Sequence, residues 1–159
     1  MGQCGARPNR DRWREVSADA AASTPKPPSR VRVKWAGEHL FDTGRENGSV
    51  ARLDGDGKAA QTPPEALLSA LASCVSVDIL DILAKRRTPV ESLEVNVVGE
   101  RVDTTPRHFR HITLNFSITG NGIERVHAER AIELAITKYC SVRDSLRADM
   151  KVDWTLDLG

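Results

Sequence analysis

Cysteine is scarce in this chain of 159 residues: Cys4, Cys74 and Cys140 are scattered, with no C-x-x-C pair among them. That excludes a secreted disulfide scaffold and leaves a zinc site without ligands at workable spacing. Neither sign of charge is in excess, with 23 Lys and Arg against 22 Asp and Glu and a formal net charge of +1. Such a balance argues against a protein selected by charge for nucleic acid or a membrane surface. The most apolar stretch, residues 62–87, is interrupted by Glu65, Asp78 and Asp81, whereas a bilayer span needs ~20 predominantly apolar residues, so a protein core is expected there and not a membrane anchor. The N-terminus lacks the apolar region of a secretory signal, and Asp11, Glu15 and Asp19 fit poorly with an acid-poor transit peptide. No internal repeat is visible. His108 and His111 stand an odd number of residues apart and face opposite ways on one strand, which suits surface roles better than metal ligation. The DGDGK run at 54–58 lacks the further ligands and closing Glu of a calcium loop and reads as a turn. A reducing, cytoplasmic setting is expected, in which a disulfide is transient and chemical, not structural.

What is present suits one domain with a sizeable core. Residues 1–29 are rich in Ala, Arg, Pro, Ser and Asp, have no sustained apolar periodicity and end in TPKPPS; a disordered tail is expected, with Cys4 an incidental thiol in it. From Arg30 the period changes to two. Val31, Val33 and Trp35 alternate with Arg32 and Lys34; His39 and Phe41 open a second strand; TGRENG is a loop; and Ser49 to Leu53 form a third strand. After the apolar stretch, Leu93, Val95 and Val97 alternate, and so do Ile112, Leu114, Phe116 and Ile118. Residues 123–139 carry Ala128, Ala131, Ile132, Ala135, Ile136 and Tyr139 at the spacing of an amphipathic helix, followed by Cys140, a short helical stretch to Ala148 and a last strand through Trp154. The order β-β-β-α-β-β-α-β predicts an α+β domain over 30–159, with antiparallel sheet packed on the long helix.

That helix has stacked start signals: Thr62 at the N-cap, Pro63 at the first position and Glu65 completing a capping box. Lys85, Arg86 and Arg87 lie where the macrodipole favours cations, and Pro89 follows. Its apolar residues point nearly all round, as in a buried helix. Cys74 shares a face with Ala70, Leu71, Asp78 and Asp81, beside a stripe of Glu65, Ser69, Ser73 and Ser76. Cys140 lies between a helix end and a helix start, with Lys138 and Arg143 nearby. From spacing alone both are read equally as ordinary buried cysteines. A functional reading needs more. A thiol of pKa ~8.5 is only ~3% thiolate at pH 7, and lowering it by ~3 units takes ~4 kcal/mol. A helix terminus gives ~0.3 to 1 kcal/mol, whereas an adjacent cation moves a pKa by ~1 to 3 units. Asp78, one turn from Cys74, acts in the wrong direction, so a reactive Cys74 requires a cation folded over it; Arg32, Arg45 and Arg52 are the candidates.

Together, TPPEALLSALASCVSVDIL and KYCSVRDSL resemble the OsmC/Ohr family of thiol-dependent peroxide reductases, and CVSVDIL, the basic helix end and YCSV are most similar to its YhfA-type branch. The resemblance runs from about Val31 to Leu158. It implies an OsmC-like fold, an intertwined homodimer with the two long helices at its centre, and active sites at the subunit interface. It further implies that Cys74 is the peroxidatic thiol attacking an organic hydroperoxide, and that Cys140 is the thiol resolving the Cys74 sulfenic acid. A dithiol of the dihydrolipoamide or thioredoxin type would reduce the resulting disulfide, with no metal, flavin or haem cofactor. Arg45, beside a Gly-Arg turn, is the arginine the resemblance favours over Arg32. The family's orienting glutamate falls at Pro64, with Glu65 one position on, ~100° round the helix. The alternative expectation is a non-catalytic module that keeps the fold and binds a small ligand.

Overall fold

The computed structural model describes residues 26–159. Most of the segment expected as a tail, with Cys4, lies outside the described residues. Val31–Gly159 forms one compact unit.

Three short strands open it: β1 (Arg32–Trp35), β2 (Leu40–Gly44) and β3 (Val50–Asp54), an antiparallel sheet in that order. Gly37 and Glu38 turn the chain with φ of 106° and 45°, and the Trp35 indole N–H fastens the turn on the Glu38 carbonyl at 2.8 Å. Asp54, only 3% exposed, organises the DGDGK turn. Its carboxylate accepts the backbone N–H groups of Asp56, Lys58 and Ala59 at 2.8 Å each, an Asx-type cradle that leads into the long helix.

Helix α1 (Pro63–Lys85) begins with the full capping box. Glu65 N–H donates to Thr62 Oγ1 at 3.4 Å, and the Thr62 backbone N–H donates to Glu65 Oε2 at 2.7 Å. At the other end Arg87 takes a left-handed conformation, φ 65°, and Thr88 N–H closes on the Leu83 carbonyl at 3.2 Å.

A second sheet follows: β4 (Ser92–Arg101), β5 (Phe109–Thr119) and β6 (Lys151–Leu158), with β5 central. The period-two pattern explains its burial. Ile112, Leu114, Phe116 and Ile118 point inward, at most 1% exposed, against Leu71, Val75, Ile79 and Leu83 of α1, all fully buried. Between β5 and β6 the chain forms α2 (Arg125–Leu134), a π-helical turn (Ala135–Tyr139) and α3 (Ser141–Asp144).

The expected element order is observed, with three corrections. The pairing of β5 with β6 is parallel, not antiparallel, because the helices between them carry the chain back across the sheet before β6 begins. The helix expected over 123–139 begins only at Arg125 and changes winding at Ala135. Finally, α1 is not covered all round within one chain. A three-stranded sheet covers one face, while Leu67, Val77 and Leu80 remain 39%, 58% and 41% exposed.

Candidate active site

Cys74 lies in the twelfth position of α1, half-buried, and packs against the core cluster that contains Cys140. Cys140 is positioned by an irregularity. The π-helical turn inserts an extra residue into the winding, and the Cys140 backbone N–H closes it on the Ala135 carbonyl at 2.9 Å. Cys140 then becomes the N-cap of α3 in an extended conformation, φ −69°, ψ 102°. Its Sγ accepts the backbone N–H of Arg143 at 3.3 Å, and the Arg143 guanidinium donates to the Met150 carbonyl at 3.1 Å, tying this corner to the approach to β6.

Burial pushes the Cys140 thiol up to about 11; the Arg143 N–H pulls against that shift, and the neighbouring Cys74 adds to it. The two sulfurs therefore share one environment, although 66 residues separate them in the chain. At that value Cys140 is a neutral, desolvated thiol at physiological pH.

The other expected site residues lie elsewhere in the chain. Glu65 is nine residues before Cys74, which puts it ~900° round and so on the opposite side of the helix. Its carboxylate also accepts Thr62 Oγ1–H at 2.9 Å, and these Thr62 contacts hold its pKa below the usual glutamate value. Arg45 is exposed in the turn between β2 and β3, and among the described residues it hydrogen-bonds neither thiol nor Glu65. Arg32 is exposed on β1. Arg52 is paired with Asp42 across the sheet at 2.8 Å, which removes it from the candidates for activating Cys74. Among the described residues the two thiols pack in one cluster, and none of Arg32, Arg45 and Arg52 hydrogen-bonds either sulfur.

Spacing did not reveal the π-turn, and it set Tyr139 on the apolar face of the helix, whereas Tyr139 is 48% exposed. The Lys138 ammonium lies 5.3 Å from the centroid of the Tyr139 ring, and both residues, with Ser141 and Arg143, wall a cleft of about 670 Å³ that reaches Cys140. A local signal for that turn is absent from AITKYC, whose composition suits an ordinary helix. Among the described residues no three His, Cys, Asp or Glu side chains converge to hold a metal.

The fold and the site define an α+β protein with one cysteine on its central helix and a second at a helix junction packed in the same core cluster. The chain is a member of the OsmC-like family, whose model, described as OsmC-like protein, matches residues 55–155. Protein YhfA of Escherichia coli strain K12 is 37% identical over 114 residues, 71% of this chain and 85% of that protein, which places the chain in the YhfA branch. An OsmC-like protein of unknown function from Vibrio cholerae superposes with a TM-score of 0.71 at 20% identity, covering 83% of this chain and 100% of that one. A Legionella pneumophila protein described as an organic hydroperoxide resistance protein OsmC superposes at 0.57 with 16% identity, covering 84% and 99%. At these identities the two structures establish the fold alone.

Proposed function

We propose that the protein is a thiol peroxidase acting on organic hydroperoxides, in which Cys74 attacks the distal peroxide oxygen and Cys140 resolves the sulfenic acid. The observation that carries this reading is that half-buried Cys74 packs against the core cluster holding buried Cys140, although they come from distant parts of the chain. In the first step the Cys74 sulfur takes the distal oxygen and an alcohol leaves, so the peroxide is reduced by two electrons. In the second, Cys140 attacks the sulfenic sulfur, an S–S bond forms and water leaves. A dithiol restores both thiols. Family membership and the Legionella relative's description support a redox role.

The cation that Cys74 needs is proposed to come from a second copy. Arg32 is exposed on a strand and Arg45 in a turn of a sheet that also exposes Val33 (60%) and Trp35 (65%), and α1 exposes Val77 and Leu80. Apolar surface on both elements suits a homodimer in which the sheet of one subunit reaches the thiols of the other. The protein is placed in the cytoplasm on this reading.

Reduced protein should consume cumene hydroperoxide when dihydrolipoamide or thioredoxin is supplied, and Cys74→Ser should abolish consumption; unchanged turnover by that variant overturns the proposal. The capped Glu65, and the lack among the described residues of a cation hydrogen-bonded to Cys74, favour a second reading, a non-catalytic module that binds a small apolar ligand. It predicts no turnover by the wild type and ligand affinity unaltered by Cys74→Ser.

A further inference from the structure

An open groove of about 430 Å³ runs between α1 on one side and α2 on the other. On α1 its wall is built at helical spacing by Asp78, Asp81, Ile82 and Lys85, and Arg86 closes it at the C-cap. The charges are sorted by sign along that wall. The two carboxylates come first and the two cations after them, ~6 to 12 Å further along the axis. The surface between is apolar, made by Ile82 with Ala131 and Leu134 of α2. Asp78 and Asp81 each lie ~100° round α1 from the exposed Val77 and Leu80, so the groove opens beside that apolar face and not on it.

The cationic end is held in place without being neutralised. Arg86 Nη2 donates to His127 Nε2 at 2.7 Å across the gap between the helices. A guanidinium only donates, so this imidazole nitrogen accepts, and the contact fixes Arg86 without bringing a negative charge to it. Arg130, one turn beyond His127, lines the groove as well. Glu124 lies 3.6 Å from the same imidazole nitrogen, but it is 72% exposed and outside the groove wall. Among the described residues Asp78, Asp81, Lys85 and Arg130 form no ion pair, although Asp81 and Lys85 stand one turn apart. Both signs of charge are thus left unmatched at opposite ends of an apolar floor. A purely apolar ligand would satisfy neither end, and a dianion would meet the two aspartates. We propose that the α1–α2 groove binds a small amphipathic zwitterion, a carboxylate and an ammonium joined by an apolar chain. The carboxylate sits at Lys85, Arg86 and Arg130, where a guanidinium fork suits it, and the ammonium at Asp78 and Asp81.

No thiol chemistry enters this binding, so it is measured on the reduced full chain without peroxide. The test titrates 8-aminooctanoate into isotope-labelled protein and follows the backbone amide shifts by NMR. Saturable shifts are expected in residues 78–86 and 127–139, with affinity in the millimolar range. Octanoate and octylamine each lack one charge and should bind roughly ten-fold more weakly. Arg86→Gln should weaken 8-aminooctanoate by a similar factor without weakening octylamine, and Asp81→Asn should weaken it without weakening octanoate. Neither exchange touches the buried cluster, so both variants should keep the wild-type shifts elsewhere. His127→Gln retains an acceptor for Arg86 and should bind more tightly than His127→Ala. Octanoate or octylamine binding as tightly as 8-aminooctanoate, shifts centred outside the groove, or no saturable shifts at all overturns the inference.

Discussion

Arg143 donates its backbone N–H to Cys140 Sγ at 3.3 Å, so the thiol beside the π-turn is also the cap of α3. That contact favours the thiolate, but burial outweighs it and holds the pKa near 11. At pH 7 a thiol of that pKa is ionised to only ~10⁻⁴. Formation of the Cys74–Cys140 disulfide after a stoichiometric dose of hydroperoxide should therefore accelerate about ten-fold per pH unit from pH 7 to 10. Stopped-flow fluorescence combined with acid-quench mass spectrometry follows it, and a rate that levels off below pH 9 contradicts the assignment. Folding is linked to the same proton. The folded pKa lies above the ordinary value of 9.0, so the contribution to stability is complete below pH 9 and is lost as pH rises towards 11. Cys140→Ala should remove that loss from a urea-midpoint series.

Asp54 works in the opposite pH range. Its carboxyl is held below the usual 3.8, first by the Ala59 and Asp56 backbone N–H groups and then by that of Lys58. A depressed folded pKa contributes stability that is complete above the ordinary value and disappears as pH falls through the folded one. Wild-type protein should lose thermal stability below about pH 4, and Asp54→Ala should show a lower Tm at neutral pH with a flatter acid limb. Equal acid limbs in the two proteins would remove Asp54 from that role.

Much of this fold was legible because the signals were local. Thr62, Pro63 and Glu65 marked where α1 starts, and the alternation from Ile112 to Ile118 marked a strand with one buried face. The parallel pairing of β6 was not legible, since alternation reports faces and says nothing of direction. Cys74 and Cys140 could be named from their motifs, but that they meet depends on the π-turn, a tertiary adjustment with no composition cue. The role of Arg45 was least legible, because it is exposed in a hairpin turn and, among the described residues, its side chain makes no hydrogen bond or ion pair.

The Thr62–Glu65 box separates a capping role from a catalytic one. Thr62→Ala removes the side chain that accepts Glu65 N–H and should cost ~0.5 to 2 kcal/mol of stability. Glu65→Gln keeps an acceptor for the Thr62 N–H and should lower stability less. If Glu65 only caps, neither change alters the alkylation rate of Cys74 or its pH profile. A fall in Cys74 reactivity in Glu65→Gln, with the fold intact by circular dichroism, would instead assign the carboxylate to the site.

The outer face of α1 is where the proposed dimer can be broken without touching the core. Val77 and Leu80 are 58% and 41% exposed, and neither belongs to the buried cluster formed by Leu71, Val75, Ile79 and Leu83. In a monomer, Leu80→Asp replaces exposed apolar surface with exposed charge and should change stability by no more than ~0.5 kcal/mol. At an interface the same carboxylate is desolvated with no cation set to receive it, a penalty of several kcal/mol. On the dimer proposal the wild type should elute as a dimer in light-scattering chromatography and the variant as a folded monomer. If the arginine acting on Cys74 comes from the second copy, Cys74 alkylation at neutral pH should slow by roughly ten-fold or more in the same variant, since removing a nearby cation raises a thiol pKa by ~1 unit or more. A monomeric Leu80→Asp protein with wild-type Cys74 reactivity would show that the activating group, if there is one, belongs to the same chain.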